Sequence, residues 1–410
     1  MLYSLYVKNC LAFNEPVMFS MQADSESKKF NTNVFNLGNY NVLKSAAIYG
    51  PNNTGKSCLI KIIERIKEEI LDSSKTIIGF EKNVFEKDNI TEIKISFIIE
   101  EQGYVYHFKY DTVNKEYIYE KISLFGTSET ILLEKDIYNQ KYYCIDANFS
   151  QRMKYALKNK MIINAIDDSD CDIYIKQIKN VLKAFGEKIE VISMVNIPMD
   201  YTIELLKTSD EKRKKISDFV KNADLYMDGF IYDNDILPTV DTNKQIDELP
   251  LQAVKLVDRY RLVSIYKGKK MPSLLFDSTG TKKIEALASY IIEAIENKKI
   301  LIIDELDSSL HFKLTRSIVS MFNNDLNNSA QFIFSTHDIT LLDIKHIFRK
   351  EQIWFTSKDE VSPKLYSLNN IEISKDAQDL VETYKKGFFS ALPSPNLIES
   401  LIDIYSEKHD

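Results

Sequence analysis

At 410 residues, with 44% hydrophobic and 28% charged side chains and only 11 Gly and 9 Pro, the chain has room for about two or three folded globular domains. A stapled mini-protein, a collagen-like repeat and a mainly disordered chain are excluded. The 53 basic and 60 acidic residues sum to −7, so no global positive field draws the molecule onto nucleic acid or anionic lipid, and any such contact must be local.

Taken in chain order, the first hundred residues read as strands and one helix. Apolar stretches at 2–7, 17–19 and 46–49 are strands, the last running into a Gly-bounded loop. Over 56–71, Leu59, Ile60, Ile62, Ile63, Ile66 and Ile70 recur at helical spacing and predict an amphipathic helix. Alternating patterns at 93–99, 104–110 and 115–122, separated by short polar turns, predict an antiparallel patch. Between 126 and 254 strand signals weaken, and 173–185 and 201–219 are the best helices, so this stretch reads as a mostly helical insertion. Regular β/α signals resume with strands at 259–266, 273–276, 300–303 and 331–334 and a helix over 282–295. The expected division is 1–125, 126–254 and 255–410. The fold class is α/β: a sheet with an antiparallel subdomain and a mostly helical insertion.

Cys10, Cys58, Cys144 and Cys171 form no paired spacing and have no neighbouring His, which points to a reducing compartment without a zinc site or disulfide framework. The start lacks a basic, apolar leader, and no run of about 18 apolar residues occurs, so a cytoplasmic chain without a membrane anchor is expected.

Gly50-Pro51-Asn52-Asn53-Thr54-Gly55-Lys56-Ser57 fits G-x-x-x-x-G-K-[ST], after a strand and opening a helix. Small residues there let backbone N–H groups curl around phosphate oxygens; Lys56 reaches the β- and γ-phosphates and Ser57 offers a hydroxyl to Mg²⁺. Nucleotide binding follows, with ATP and Mg²⁺ as ligands. The run 299–303 delivers Asp304 and Glu305 at a strand end, one placed to hold the metal shell and the other to polarise an attacking water. Ser57 and Asp304 stand too far apart for one βαβ crossover, so a large segment is inserted between strands of one sheet.

Two more patterns select the subclass. Phe276-Asp277-Ser278-Thr279-Gly280-Thr281-Lys282-Lys283 resembles the signature loop of ABC-type ATPases, and Phe332-Ile333-Phe334-Ser335-Thr336-His337-Asp338 resembles their switch-histidine strand. Leu306-Asp307-Ser308-Ser309-Leu310-His311 looks like the D-loop of the overcoming-lysogenization-defect and AAA-type branch. The entry stretch 8–13 and the later stretches 348–355 and 384–389 also look familial. The chain departs from the pattern at Leu11, where relatives often carry Arg, and at Phe312, where Pro is common. It also lacks a clear Q-loop, Gln102 reading as a turn residue.

The resemblance implies an ATP-hydrolysing head that pairs as a homodimer or higher even oligomer. Ser278 and Gly280 would cap the γ-phosphate held by a second copy, His337 would sense it, and Asp307 would act across the seam. Glu305 and His337 are then the catalytic candidates, and Ser57 and Asp304 the metal ligands. Too little chain follows His337 for a nuclease domain, so a separate effector, nuclease or toxin, is implied, as in the ATPase subunits of PARIS-type and Septu-type antiphage systems. The competing expectation is a RecF- or SMC-related ATPase that clamps DNA, although net charge gives no indication of nucleic acid. The acidic cluster 167–170 reads as a solvated loop, and Lys212-Arg213-Lys214-Lys215 and Lys267-Gly268-Lys269-Lys270 as a helix face and a hairpin turn.

Overall fold

The computed structural model describes residues 1–72, 80–126, 128–165, 172–223, 226–236, 251–358, 362–372, 379–392 and 396–406; the acidic cluster 167–170 and Cys171 lie outside them. The chain opens with β1 (Leu2–Lys8), β2 (Val17–Ser20), the small hairpin β3 (Val34–Leu37) and β4 (Tyr40–Leu43), and β5 (Ser45–Tyr49). Helix α1 (Lys56–Leu71) follows, burying the Leu/Ile stripe that its periodicity predicts. Three ten-residue strands, β6 (Ile90–Ile99), β7 (Gln102–Asp111) and β8 (Glu116–Phe125), form the expected antiparallel patch.

The next stretch is mostly helical, as expected, but it also carries strands that join the sheets on either side. β9 (Thr130–Asp136) and β10 (Lys141–Cys144) extend the antiparallel sheet to seven strands, in the order β10-β9-β8-β7-β6-β1-β2. Short helices α2 (Ala147–Arg152) and α3 (Ile162–Ala165) lead to α4 (Ile173–Lys188), and then β11 (Ile189–Ser193) enters the second sheet beside a strand more than a hundred residues downstream. Burial explains the difference: Leu133 and Ile189 join the same apolar core as α1, so these short runs gain more from pairing with a sheet than from standing as a separate unit. The single helix expected over 201–219 is two, α5 (Asp200–Thr208) and α6 (Asp210–Asn222). Ser209 divides them, its hydroxyl accepting the Lys212 N–H as an N-cap ahead of the acidic pair Asp210 and Glu211.

β12 (Gly229–Tyr232) pairs with β13 (Leu262–Tyr266), which pairs with β14 (Lys269–Pro272). The strand expected at 259–266 is shorter because α7 (Leu251–Tyr260) occupies its start, and the strand expected at 273–276 is a helical turn, α8 (Ser273–Phe276). Pro272 precedes that turn and supplies no N–H with which to continue a ladder. The chain then runs through α9 (Thr279–Glu296), β15 (Ile300–Asp304), α10 (Phe312–Phe322), β16 (Gln331–Ser335), β17 (Ile353–Lys358), β18 (Pro363–Ser367), α11 (Leu380–Lys385) and α12 (Leu397–Ser406).

The second sheet has the order β11-β15-β16-β5-β17-β18, parallel except at the β17–β18 edge. β5 reads Ser-Ala-Ala-Ile-Tyr and is buried at every position, as a central parallel strand covered on both faces must be. Its residues alternate between two cores. Ala46 and Ile48 face the core shared with α1, α4 and the antiparallel sheet, whereas Ala47 and Tyr49 face the one shared with α9, α10 and α11. A parallel sheet carrying the 50–57 loop, joined to an antiparallel lobe, is the mixed α/β architecture that the sequence implies. Among the described residues no helix is long and apolar enough to cross a membrane.

Candidate functional site

The loop 50–57 leaves the C-terminal end of β5, the end of a parallel sheet at which ligands collect. Its shape is enforced by close approach. A Cβ on Gly50 would lie 2.1 Å from Thr356 Oγ1, and one on Gly55, at φ 101°, would lie 2.8 Å from the Phe13 ring. Asn53 also has positive φ (62°), while Asn52 and Asn53 stand exposed at the tip. Thr54 is buried, with its hydroxyl 2.6 Å from that of Thr356. Gly55 is the N-cap residue of α1 and has no side chain to offer, so the first-turn N–H groups are available to an anion.

Lys56 is buried and folds back onto its own loop, donating to the carbonyls of Gly50 at 2.7 Å and Pro51 at 2.8 Å. Burial lowers its pKa, and Asp304, Glu305 and Asp307 oppose that shift, which puts three carboxylates within electrostatic reach of one ammonium. Ser57, half-buried, is the next residue of the helix.

β15 delivers Asp304 and Glu305 to the same end of the sheet. The Ser335 hydroxyl, from β16, donates to Asp304 Oδ1 at 2.5 Å and accepts the Glu305 N–H at 2.8 Å. Glu305 takes a left-handed backbone conformation, φ 60°, an unfavourable state for a non-glycine residue and one concentrated at functional turns. Asp307 turns toward the neighbouring strand end, where its carboxylate accepts the His337 N–H at 3.1 and 3.3 Å. His337 is exposed. Desolvation and then the Lys56 cation lower its pKa, against the pull of Asp307, Glu305 and Asp304.

Ser278 and Gly280 stand at the start of α9. Ser278 is the N-cap, accepting the Thr281 N–H at 3.1 Å. A Cβ on Gly280 would lie 2.6 Å from the Ser309 carbonyl, and Lys283 donates to the Ser308 carbonyl at 3.1 Å, so this loop leans on the turn that carries Asp307. Phe312 begins α10 with its ring 4.5 Å from that of His311, and Leu11 adopts φ 51° with its N–H bonded to the Glu81 carbonyl. Gln102 begins β7 next to the β6–β7 turn. Three of the four basic residues at 212–215 are engaged within the chain: Lys212 pairs with Glu293 and Glu296, Arg213 with Asp210, and Lys215 with Glu211 and Glu296.

The donor set suits magnesium. Among the described residues no group of three or more His, Cys, Asp or Glu could hold a metal unaided, but a hydroxyl and a carboxylate at a phosphate-shaped loop are the few hard oxygen ligands that Mg²⁺ takes alongside nucleotide phosphates. Two further side chains brace the loop and the acidic pair. Ser335 lies inside the quoted histidine strand, so its place was within reach; Thr356 lies in a strand with no motif, and only tertiary pairing brings it to Gly50.

Comparison with known proteins gives limited likeness. A family model described as "AAA domain, putative AbiEii toxin, Type IV TA system" matches residues 204–343, a stretch that holds Ser278, Gly280, Asp304, Glu305, Asp307 and His337 but not the 50–57 loop. Among solved structures, the SMC head domain from Thermotoga maritima is 12% identical with a TM-score of 0.46, covering 91% of this chain and 99% of that one. An Smc head bound to the C-terminal winged-helix domain of ScpA is 13% identical with a TM-score of 0.45, covering 92% and 99%. The Smc head with an extended coiled coil bound to the C-terminal domain of ScpA, derived from Pyrococcus furiosus, is 14% identical with a TM-score of 0.42, covering 94% and 100%. No curated protein matches the chain.

Proposed function

We propose that this chain is an ABC-type ATPase head that hydrolyses ATP at sites shared between two copies. The observation that carries the reading is the meeting of Lys56, Asp304, Glu305, Asp307 and His337 at the ends of three adjacent parallel strands, β5, β15 and β16. In this reading Lys56 exchanges its two loop carbonyls for β- and γ-phosphate oxygens, and the free N–H groups at the start of α1 complete the phosphate cradle. Ser57 and Asp304 would hold magnesium, which when bound neutralises charge between the phosphates. Glu305 orients the attacking water and accepts its proton, while neutral His337 faces the γ-phosphate. Ser278 and Gly280 of a second copy close the site.

The physiological role we infer is control of a separate effector, a nuclease or toxin, in bacterial antiphage defence. The AbiEii-type description of the matching family model supports that direction. The competing DNA-clamp reading draws no support from the 212–215 run, whose Lys212, Arg213 and Lys215 are paired with carboxylates of the same chain. The test is turnover against protein concentration, combined with a mixing experiment. Hydrolysis per chain should rise with concentration, and a Lys56→Ala chain mixed with a Ser278→Arg chain should regain part of the activity that each lacks alone. Turnover independent of dilution from a monomer, or no rescue by folded and associating variants, would refute shared sites.

A further inference from the structure

Behind the Ser278–Gly280 turn lies a pair of buried carboxylates that, among the described residues, have no cation as a hydrogen-bond partner. Asp277, directly before the N-cap of α9, is 8% exposed; Glu285, two turns into that helix, is fully buried. Three hydroxyls surround them. Tyr266 donates to Asp277 Oδ1 at 2.6 Å and Ser273 to Glu285 Oε2 at 2.5 Å. Ser264 reaches both acids, bonding Asp277 Oδ2 and lying 3.0 Å from Glu285 Oε1. Thus β13 and α8 grip the residue in front of the turn and the helix behind it.

The hydrogens must be counted. Ser264 has one, so it can donate to only one carboxylate; the other contact is satisfied only if that second acid carries a proton and donates to the Ser264 oxygen. Two ionised carboxylates here would leave an acceptor facing an acceptor in a largely buried cluster, an arrangement that burial makes expensive. One proton closes the pattern. Glu285 is its natural holder, because burial and then Asp277 raise its pKa to about 8, while Asp277 has Tyr266 as an additional donor.

We propose that Asp277 and Glu285 share one proton through Ser264 and act as positioning residues that fix the Ser278–Gly280 turn for its contact with the γ-phosphate. This rests on the ATPase reading above. The chemistry predicts an unusual mutational pattern. Glu285→Gln keeps a donor toward Ser264 and an acceptor for Ser273. Asp277→Asn lets Ser264 reverse and donate to an ionised Glu285. The double amide has one hydrogen too many: whichever way its two amides turn, one of the three hydroxyl hydrogens is left without an acceptor within the cluster.

The experiment is steady-state ATP hydrolysis by the full-length wild type, the two single variants and the double, with fold checked by circular dichroism. Each single variant should keep kcat within about threefold of wild type, while the double loses about tenfold or more in kcat with KM for ATP changed less than about twofold, since the 50–57 loop is untouched. A folded double variant with wild-type kcat, or a Glu285→Gln variant as impaired as the double, would overturn the shared proton. Those outcomes leave the ATPase reading standing, whereas a wild-type chain that never turns over ATP overturns that reading and this positioning role together.

Discussion

The Ser335 hydroxyl sits between the two acidic positions of the neighbouring strand, giving its hydrogen to Asp304 at 2.5 Å and taking the N–H of Glu305 at 2.8 Å. One side chain of β16 thereby sets the spacing of the carboxylate assigned to magnesium and the one assigned to water. Ser335→Ala should lower stability by about 1–3 kcal/mol, because it strands a partly buried N–H, and should lower kcat by roughly tenfold. Denaturant melts and initial rates read the two effects, and a variant with unaltered kcat would disconnect this bridge from catalysis.

Glu305→Gln retains the size of the side chain and removes its basicity. Hydrolysis should fall by about a hundredfold or more while ATP stays bound and holds two copies together. Rapid gel filtration with labelled ATP measures retention; turnover at the wild-type rate would reassign the base.

Because desolvation and Lys56 lower the His337 pKa, the ring is neutral at pH 7 and gains its proton only below the ordinary histidine value of 6.5. Hydrolysis should therefore be level from pH 7 to pH 8 and decline on the acid side of 6.5. His337→Ala should abolish that acid limb, and its survival in the variant would assign the titration to another group.

Stability carries its own pH signature. With Glu285 raised to about 8, the folded chain holds a proton between about 4.5 and 8 that the unfolded chain has released. Its contribution is full below about 4.5 and lost as pH rises through about 8. Urea midpoints should fall across that window in wild type and flatten in Glu285→Gln; parallel curves for the two proteins would contradict the assignment.

Phe185 of α4 is fully buried and stacks on Phe97 of β6 with ring centroids 4.1 Å apart. Phe185→Ala should cost about 3–5 kcal/mol by leaving a cavity between helix and sheet. The KM for ATP should hold if the variant stays folded at 25 °C, and a loss below 1 kcal/mol by chemical denaturation would contradict the packing described.

Strong local periodicity made much of this fold legible. The helix at 56–71 agrees in both bounds because Leu59, Ile62, Ile63, Ile66 and Ile70 repeat every three or four residues, and β15 follows from an unbroken apolar run before Asp304. β11 was invisible: five residues, Ile-Glu-Val-Ile-Ser, follow directly on α4, and only their partner Ile300–Asp304 makes them a strand. The candidate site divides in the same way. Contiguous motifs expose Gly50, Lys56, Asp304 and Glu305, whereas Thr356 and the Asp277–Glu285 pair acquire meaning only from neighbours that the chain brings up from elsewhere.

The central strand β5 has a further consequence for synthesis. Both of its neighbours, β16 and β17, come from the far end of the chain, and Tyr49 waits for Thr356, 307 residues later. At ribosomal rates of about 5–20 residues per second, that leaves a fully buried central strand without its sheet partners for roughly 15–60 s. The nascent polypeptide cannot assemble its nucleotide loop in that interval, since the groups that brace Gly50 and Thr54 have not been made. Until Thr356 has emerged, the loop lacks the contacts that give it its shape.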